Sequence, residues 1–163
     1  MPTIGLFGTC GNKTQSSWRD DFIALYEYMG FSYFNPWKED WKPENAAEEA
    51  YHLSTDEVIL FPITASTYGL GSLSEIGFSV LNAIQMNNKR DFVVFIDDCL
   101  DPTLDDISLR VESLRTRALV KEHLLQLEID GLYIVDSLEE MKEVSIKLYQ
   151  IAKLRAEIKS YLA

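Results

Sequence analysis

Asp91-Phe92-Val93-Val94-Phe95-Ile96 places apolar side chains at consecutive positions, and a strand can bury them all only if both faces of its sheet are covered. Glu57-Val58-Ile59-Leu60-Phe61 has the same character, and shorter apolar runs occur at Thr3-Ile4-Gly5-Leu6-Phe7-Gly8, Phe31 to Phe34 and Leu132-Tyr133-Ile134-Val135. Between these runs the apolar spacing becomes helical. It places Trp18, Phe22, Leu25 and Met29 on one face from Ser17 onward, and Ala46 to Leu53 behind a Pro43 suited to a first helical position. Helical segments also cover Ile76 to Met86, the stripe Ile107, Val111, Leu114 and Ala118, and Leu138 to Leu162. Strand alternating with helix, joined by right-handed crossovers, predicts an α/β fold. The expected form is a Rossmann-like or flavodoxin-like three-layer sandwich with a parallel sheet of about five strands.

A chain of 163 residues, 47% hydrophobic, can form one domain over residues 1–163, and no repeat or linker divides it. Its net charge of -11 repels polyanions, and no basic stripe offsets this, so nucleic acid is excluded as a partner. No apolar run approaches the ~20 residues needed to span a bilayer, and Met1-Pro2-Thr3-Ile4 lacks the regions of a signal peptide. Cys10 and Cys99 stand far apart, without metal-ligand spacing or an adjacent base, and are expected as small buried residues of a cytoplasmic protein. No membrane partner, metal or cofactor is expected.

Residues at strand-to-helix turns are where a fold of this kind binds ligands. The first such turn, Gly8-Thr9-Cys10-Gly11-Asn12-Lys13-Thr14, has small residues that let backbone N–H groups approach a ligand, although a Gly-rich turn also serves simply to reverse the chain. It lacks both the third glycine of a dinucleotide fingerprint and the spacing of a P-loop, which removes support for NAD-linked redox chemistry and ATP hydrolysis. Further on, Gly69-Leu70-Gly71-Ser72-Leu73-Ser74-Glu75 carries one carboxylate into the start of a helix. Ser72 and Glu75 match a capping box, in which each side chain satisfies the other's backbone amide. The same position suits chemistry. A carboxylate near a helix N-terminus is favoured in its charged form and can act as a nucleophile toward a sugar.

Other polar groups read less specifically. Asp56 lies at the amino end of a strand, away from the expected crevice, while Asp97 and Asp98 lie at a carboxyl end; solvation or turn formation is the expectation for all three. Arg110, Arg117 and Lys121 share one helix flank, where they could hold a phosphate or pair with acids. His52 and His123 have no partner at functional spacing. Tyr33-Phe34-Asn35-Pro36-Trp37-Lys38-Glu39-Asp40-Trp41 is too rich in rings for an ordinary loop, and suits stacking on a planar ligand or a subunit interface.

Taken together, Gly8 with Asn12, Asn35-Pro36, Asp56 to Leu60 and above all Gly69 to Phe78 resemble the nucleoside 2-deoxyribosyltransferase family over roughly the first 100 residues. The resemblance implies cleavage of the N-glycosidic bond of a 2′-deoxynucleoside and homo-oligomers whose sites borrow residues across a subunit boundary. Glu75 falls on the family's nucleophile, which takes the sugar as a covalent glycosyl ester and passes it to a second base. The sugar pocket is expected from Gly8, Cys10, Asn12, Asn35, Gly69, Gly71 and Ser72, with Tyr33 and Trp37 stacking on the base. The partner is a small nucleoside or nucleotide. Ala65-Ser66-Thr67-Tyr68 lacks the aspartate that the family often carries there, and before the third strand Glu49, Tyr51 and His52 are the nearest substitutes for its proton-transferring acid. The alternatives are an N-glycoside hydrolase acting on a nucleoside 5′-monophosphate or NAD, favoured if Arg19, Arg110 or Arg117 reached the pocket, and a non-catalytic nucleotide-binding module.

Overall fold

The computed structural model describes residues 1–10, 15–77, 89–159 and 161. Five strands, β1 (Thr3–Leu6), β2 (Ser32–Phe34), β3 (Val58–Ile63), β4 (Asp91–Ile96) and β5 (Leu132–Val135), form one parallel sheet in the order β2-β1-β3-β4-β5. This is the flavodoxin-like order, whose topological switch point lies between β1 and β3. The register pairs Ile4 with Val58 and Leu6 with Leu60, then Val58 with Asp91 through Ile63 with Ile96. Pro62 is tolerated in this central strand because β1 ends opposite Leu60, leaving no ladder on that side to interrupt.

The helices are α1 (Ser17–Met29), α2 (Asn45–Thr55), α3 (Leu70–Glu75), α4 (Ile107–Leu125) and α5 (Leu138–Lys159). Side chains of β3 alternate between two cores. Val58 and Leu60 join Trp18, Phe22 and Tyr26 of α1 and Met141, Leu148 and Tyr149 of α5. Ile59, Phe61 and Ile63 join Leu73 of α3, Ile76 and Leu124 of α4. The continuous apolar strands therefore arise from cover on both faces, and the three-layer sandwich is observed. The expected helix from Ile76 to Met86 lies outside the described residues beyond Gly77.

Several expectations are corrected. Pro43 precedes α2 by two residues rather than opening it, and its carbonyl accepts from the Ala46 amide. Both cysteines are exposed. The Ile107/Val111/Leu114/Ala118 stripe of α4 faces solvent, with Ile107 78% and Val111 58% exposed, while Ser113, Arg117 and Leu124 are buried. At about 100° per residue, the centre of the buried face lies roughly 110° around the helix from the centre of the apolar stripe.

Hydrogen-bonding demand explains this rotation. The Arg117 guanidinium donates to the carbonyls of Ile63 and Asp97 at 3.0 Å, Thr64 at 2.9 Å and Thr67 at 2.8 Å. Its Nε donates to Ser113 Oγ at 3.2 Å, and that hydroxyl donates to the Tyr68 carbonyl at 2.7 Å. These contacts supply donors to carbonyls just past β3 and β4, and an unpaired buried carbonyl is costly. Burial pulls the Arg117 pKa down, opposed by the negative charges of Asp97 and Asp98. Replacing Arg117 with methionine keeps the volume and strips the donors, and should lower the unfolding free energy by about 3–5 kcal/mol in urea titrations. A loss below about 1 kcal/mol would show that the carbonyls find other partners.

Candidate functional site

The loop after β1 is set by two constraints. Gly8 has φ +93°, and a Cβ there would stand 2.4 Å from the Pro62 carbonyl oxygen, so only glycine fits. Arg19 then anchors the turn from beneath: fully buried, it donates to the carbonyls of Leu6 at 3.1 Å, Gly8 at 3.4 Å and Thr9 at 2.7 Å. Thr9 is tied in turn to β3, its amide donating to the Pro62 carbonyl at 2.9 Å. The carboxyl ends of β1 and β3, the two strands at the switch point, are thereby locked together.

Above them lies a cavity of about 500 Å³, within the range of small-molecule sites. The end of β1 contributes Phe7, Gly8 and Cys10, the loop after β2 contributes Pro36 to Glu39 and Trp41, α2 contributes Glu49, and α3 contributes Gly71, Ser72 and Glu75. The cavity brings together six of the ten sequence-derived residues: Gly8, Cys10, Trp37, Gly71, Ser72 and Glu75. Asn35 stands behind the wall and shapes it, its Oδ1 accepting from the Trp37 amide at 3.1 Å and its Nδ2 donating to Gln15 at 2.5 Å. Gly69, at φ +65°, starts α3 rather than lining the cavity. Asn12 lies outside the described residues.

Glu75 is not part of a capping box. The left-handed Gly69 is the N-cap, so Ser72 is the third helical residue and Glu75 the sixth, a full turn deeper than the sequence pattern implies. No side chain caps this helix. Gly71 has no backbone reason to be glycine, since a Cβ there would meet nothing within 4 Å, and glycine inside a helix costs about 1 kcal/mol relative to alanine. Its absent side chain leaves room in the cavity.

Glu49 is the group the sequence did not single out beyond naming it as a substitute acid. Its Oε1 accepts from the Trp41 indole at 2.5 Å, which fixes it on the wall shared with Glu75. Glu75 keeps solvent-accessible surface because it opens into the cavity, yet the surrounding walls desolvate its carboxyl. That burial, and then the neighbouring Glu49 charge, push the Glu75 pKa above its ordinary value. Glu75 lies beyond the first turn of the helix, outside the reach of the N-terminus expected to favour its ionised form.

Cations expected near a ligand are engaged elsewhere. Arg19 and Arg117 serve backbone carbonyls, Arg110 donates to the carbonyls of Asp101 at 2.8 Å and Leu104 at 2.7 Å, and Lys121 pairs with Asp98 at 3.2 Å. Tyr33 points its hydroxyl to Glu27 at 2.9 Å and packs, partly buried, against the core that includes α1; it is not among the residues lining the cavity. Asp56 is buried rather than solvated, and His52 has a partner after all. His52 Nδ1 lies 2.8 Å from Asp56 Oδ1, and the ring stacks on Phe34 with centroids 3.7 Å apart.

A flavodoxin-like doubly wound sheet with an aromatic cavity lined by three carboxylates beyond the strand ends defines the class of this protein. No family model matches the chain, and no curated protein matches it.

A raised carboxyl pKa has a signed consequence. Above the folded pKa the native state must hold a charge that the unfolded chain solvates better, whereas below the unfolded value of about 4.3 both states are protonated and the penalty vanishes. Glu75→Gln should therefore raise Tm near neutral pH, and the gain should disappear as pH falls below about 4. A gain independent of pH, or a loss at neutral pH, would refute the electrostatic assignment.

Proposed function

We propose that the protein is a nucleoside 2-deoxyribosyltransferase-like enzyme that breaks the N-glycosidic bond of a (deoxy)nucleoside through a glycosyl ester on Glu75. One observation carries this reading: Glu75 and Glu49 face the same cavity, walled by Phe7, Trp37 and Trp41, at the carboxyl edge of the sheet. Two carboxylates flanking a sugar are the minimal apparatus for double displacement. Glu75 Oε attacks C1′ while the C1′–N bond breaks toward the base, and the departing nitrogen takes a proton. Glu49 is the acid for that transfer, and its carboxylate then accepts the proton of an incoming base or water. The aromatic walls suit a planar base, and a second base entering the same place recovers the sugar by the reverse steps.

The engaged arginines remove the support that a 5′-phosphate substrate would have drawn from them. A non-catalytic module would hold Glu75 in a cap with no cleft beside it; the uncapped Glu75 and the open cavity support the enzymatic reading instead. A homo-oligomer belongs to this reading. The apolar α4 stripe supports it, because contact with a second copy would remove that surface from water, and sedimentation of a monomer alone would discard it.

Incubation of the protein with a 2′-deoxynucleoside and a different free base should yield the exchanged nucleoside by chromatography. Glu75→Ala should lower that rate by about 10³-fold or more, and Glu49→Gln by about 10²-fold. Release of free base without exchange supports hydrolysis, and full activity in Glu75→Ala would refute the mechanism.

A further inference from the structure

Three carboxylates, Glu39, Glu49 and Glu75, line the cavity among the described residues. Among the described residues Lys38 is the one cationic side chain that lines it, its ammonium held 3.4 Å from Glu48. None of Arg19, Arg110 and Arg117 is a lining residue, their guanidinium groups being turned to backbone carbonyls. The remaining wall is formed largely by Phe7, Trp37 and Trp41, whose ring faces carry negative potential. Glu75, whose pKa is raised by burial and then by the Glu49 charge, would be relieved by a cation placed between the two carboxyl groups. Aromatic rings with nearby carboxylates are the chemistry that holds flat or quaternary cations, and the field of the whole molecule, at -11, draws cations toward it.

We propose that the site prefers N-glycosides whose base bears a fixed positive charge, such as ring-N-alkylated purine nucleosides or pyridinium nucleosides, over neutral nucleosides and nucleotides. This rests on Glu75 being the nucleophile. The chemistry differs from that of a neutral base in one step. When Glu75 Oε bonds to C1′, the electron pair of the C1′–N bond passes to the ring nitrogen and cancels its charge, so the base departs neutral without a proton. Glu49 then acts in its ionised form, first as a counter-charge to the bound base. In the second step it accepts the proton of a water that attacks C1′ and releases Glu75 as carboxylate. A pocket lined by carboxyl groups and aromatic rings can serve such a base without the proton transfer that a neutral one needs.

The test separates binding from turnover. Quenching of tryptophan fluorescence should show the cation of nicotinamide methylated on its ring nitrogen binding about tenfold tighter or more than neutral nicotinamide. Glu39→Gln, at an exposed loop position, should narrow that preference. Base release from N7-methylated guanosine and its 2′-deoxy form, each rate divided by the uncatalysed rate, should exceed that from the unmethylated nucleosides by about tenfold or more. Equal or weaker binding of the cation, or equal normalised rates, would overturn the charge preference while leaving glycosyl transfer in place. Cation-selective binding with no nucleoside cleaved would support the preference and overturn the glycosyl-transfer reading.

Discussion

Two buried guanidinium groups hold the working end of this molecule. Arg19, from α1, binds the carbonyls that follow β1, and Arg117, from α4, binds those that follow β3 and β4. Desolvating a guanidinium is expensive, and each is compensated chiefly by backbone carbonyls rather than by a carboxylate salt bridge. Five donors in a fixed fork suit several carbonyls converging from different segments, which an ammonium would satisfy less well. Because the two arginines approach from opposite faces of the sheet, the strand ends at the switch point are held from both sides. The cavity floor is thereby fixed chiefly through backbone carbonyls.

That arrangement leaves the cavity acidic. Among the described residues the arginines at the carboxyl edge are used for architecture, so Glu75 and Glu49 share an aromatic cavity in which the Trp41 indole donates a hydrogen bond to Glu49. Glycine at position 71 and a desolvated carboxylate at position 75 both oppose stability, and neither has a compensating role in the fold. Costs of this kind are what a binding site imposes on its scaffold.

Where local pattern and tertiary demand agreed, the fold could be read from the residues. Asp91–Ile96 and Leu132–Val135 are strands with the expected limits, because continuous apolar runs have few alternatives in a covered sheet. Where a buried polar contact decided the outcome, the pattern misled. Periodicity assigned the Ile107 stripe of α4 to the core, but carbonyls at the strand ends required Arg117 and Ser113 inside, and the stripe went to solvent. Ser72 and Glu75 matched a capping box, yet Gly69 can adopt φ +65° and began the helix earlier. In the site, Glu75 and its glycines were visible as a local motif. Glu49 was not, because its relation to Glu75 exists only once α2 packs beside α3, and Phe7 read as the end of a strand rather than as a wall.

The proposed chemistry requires a covalent bond between Glu75 and C1′ of a sugar. Incubating the protein with a nucleoside fluorinated at C2′, which slows breakdown of the ester, and measuring intact mass and digested peptides would observe that bond directly. The expected result is a mass increase equal to the fluorinated sugar, confined to the peptide containing Glu75 and absent from Glu75→Gln. Base release without any adduct, or an adduct on another residue that persists in Glu75→Gln, would contradict it.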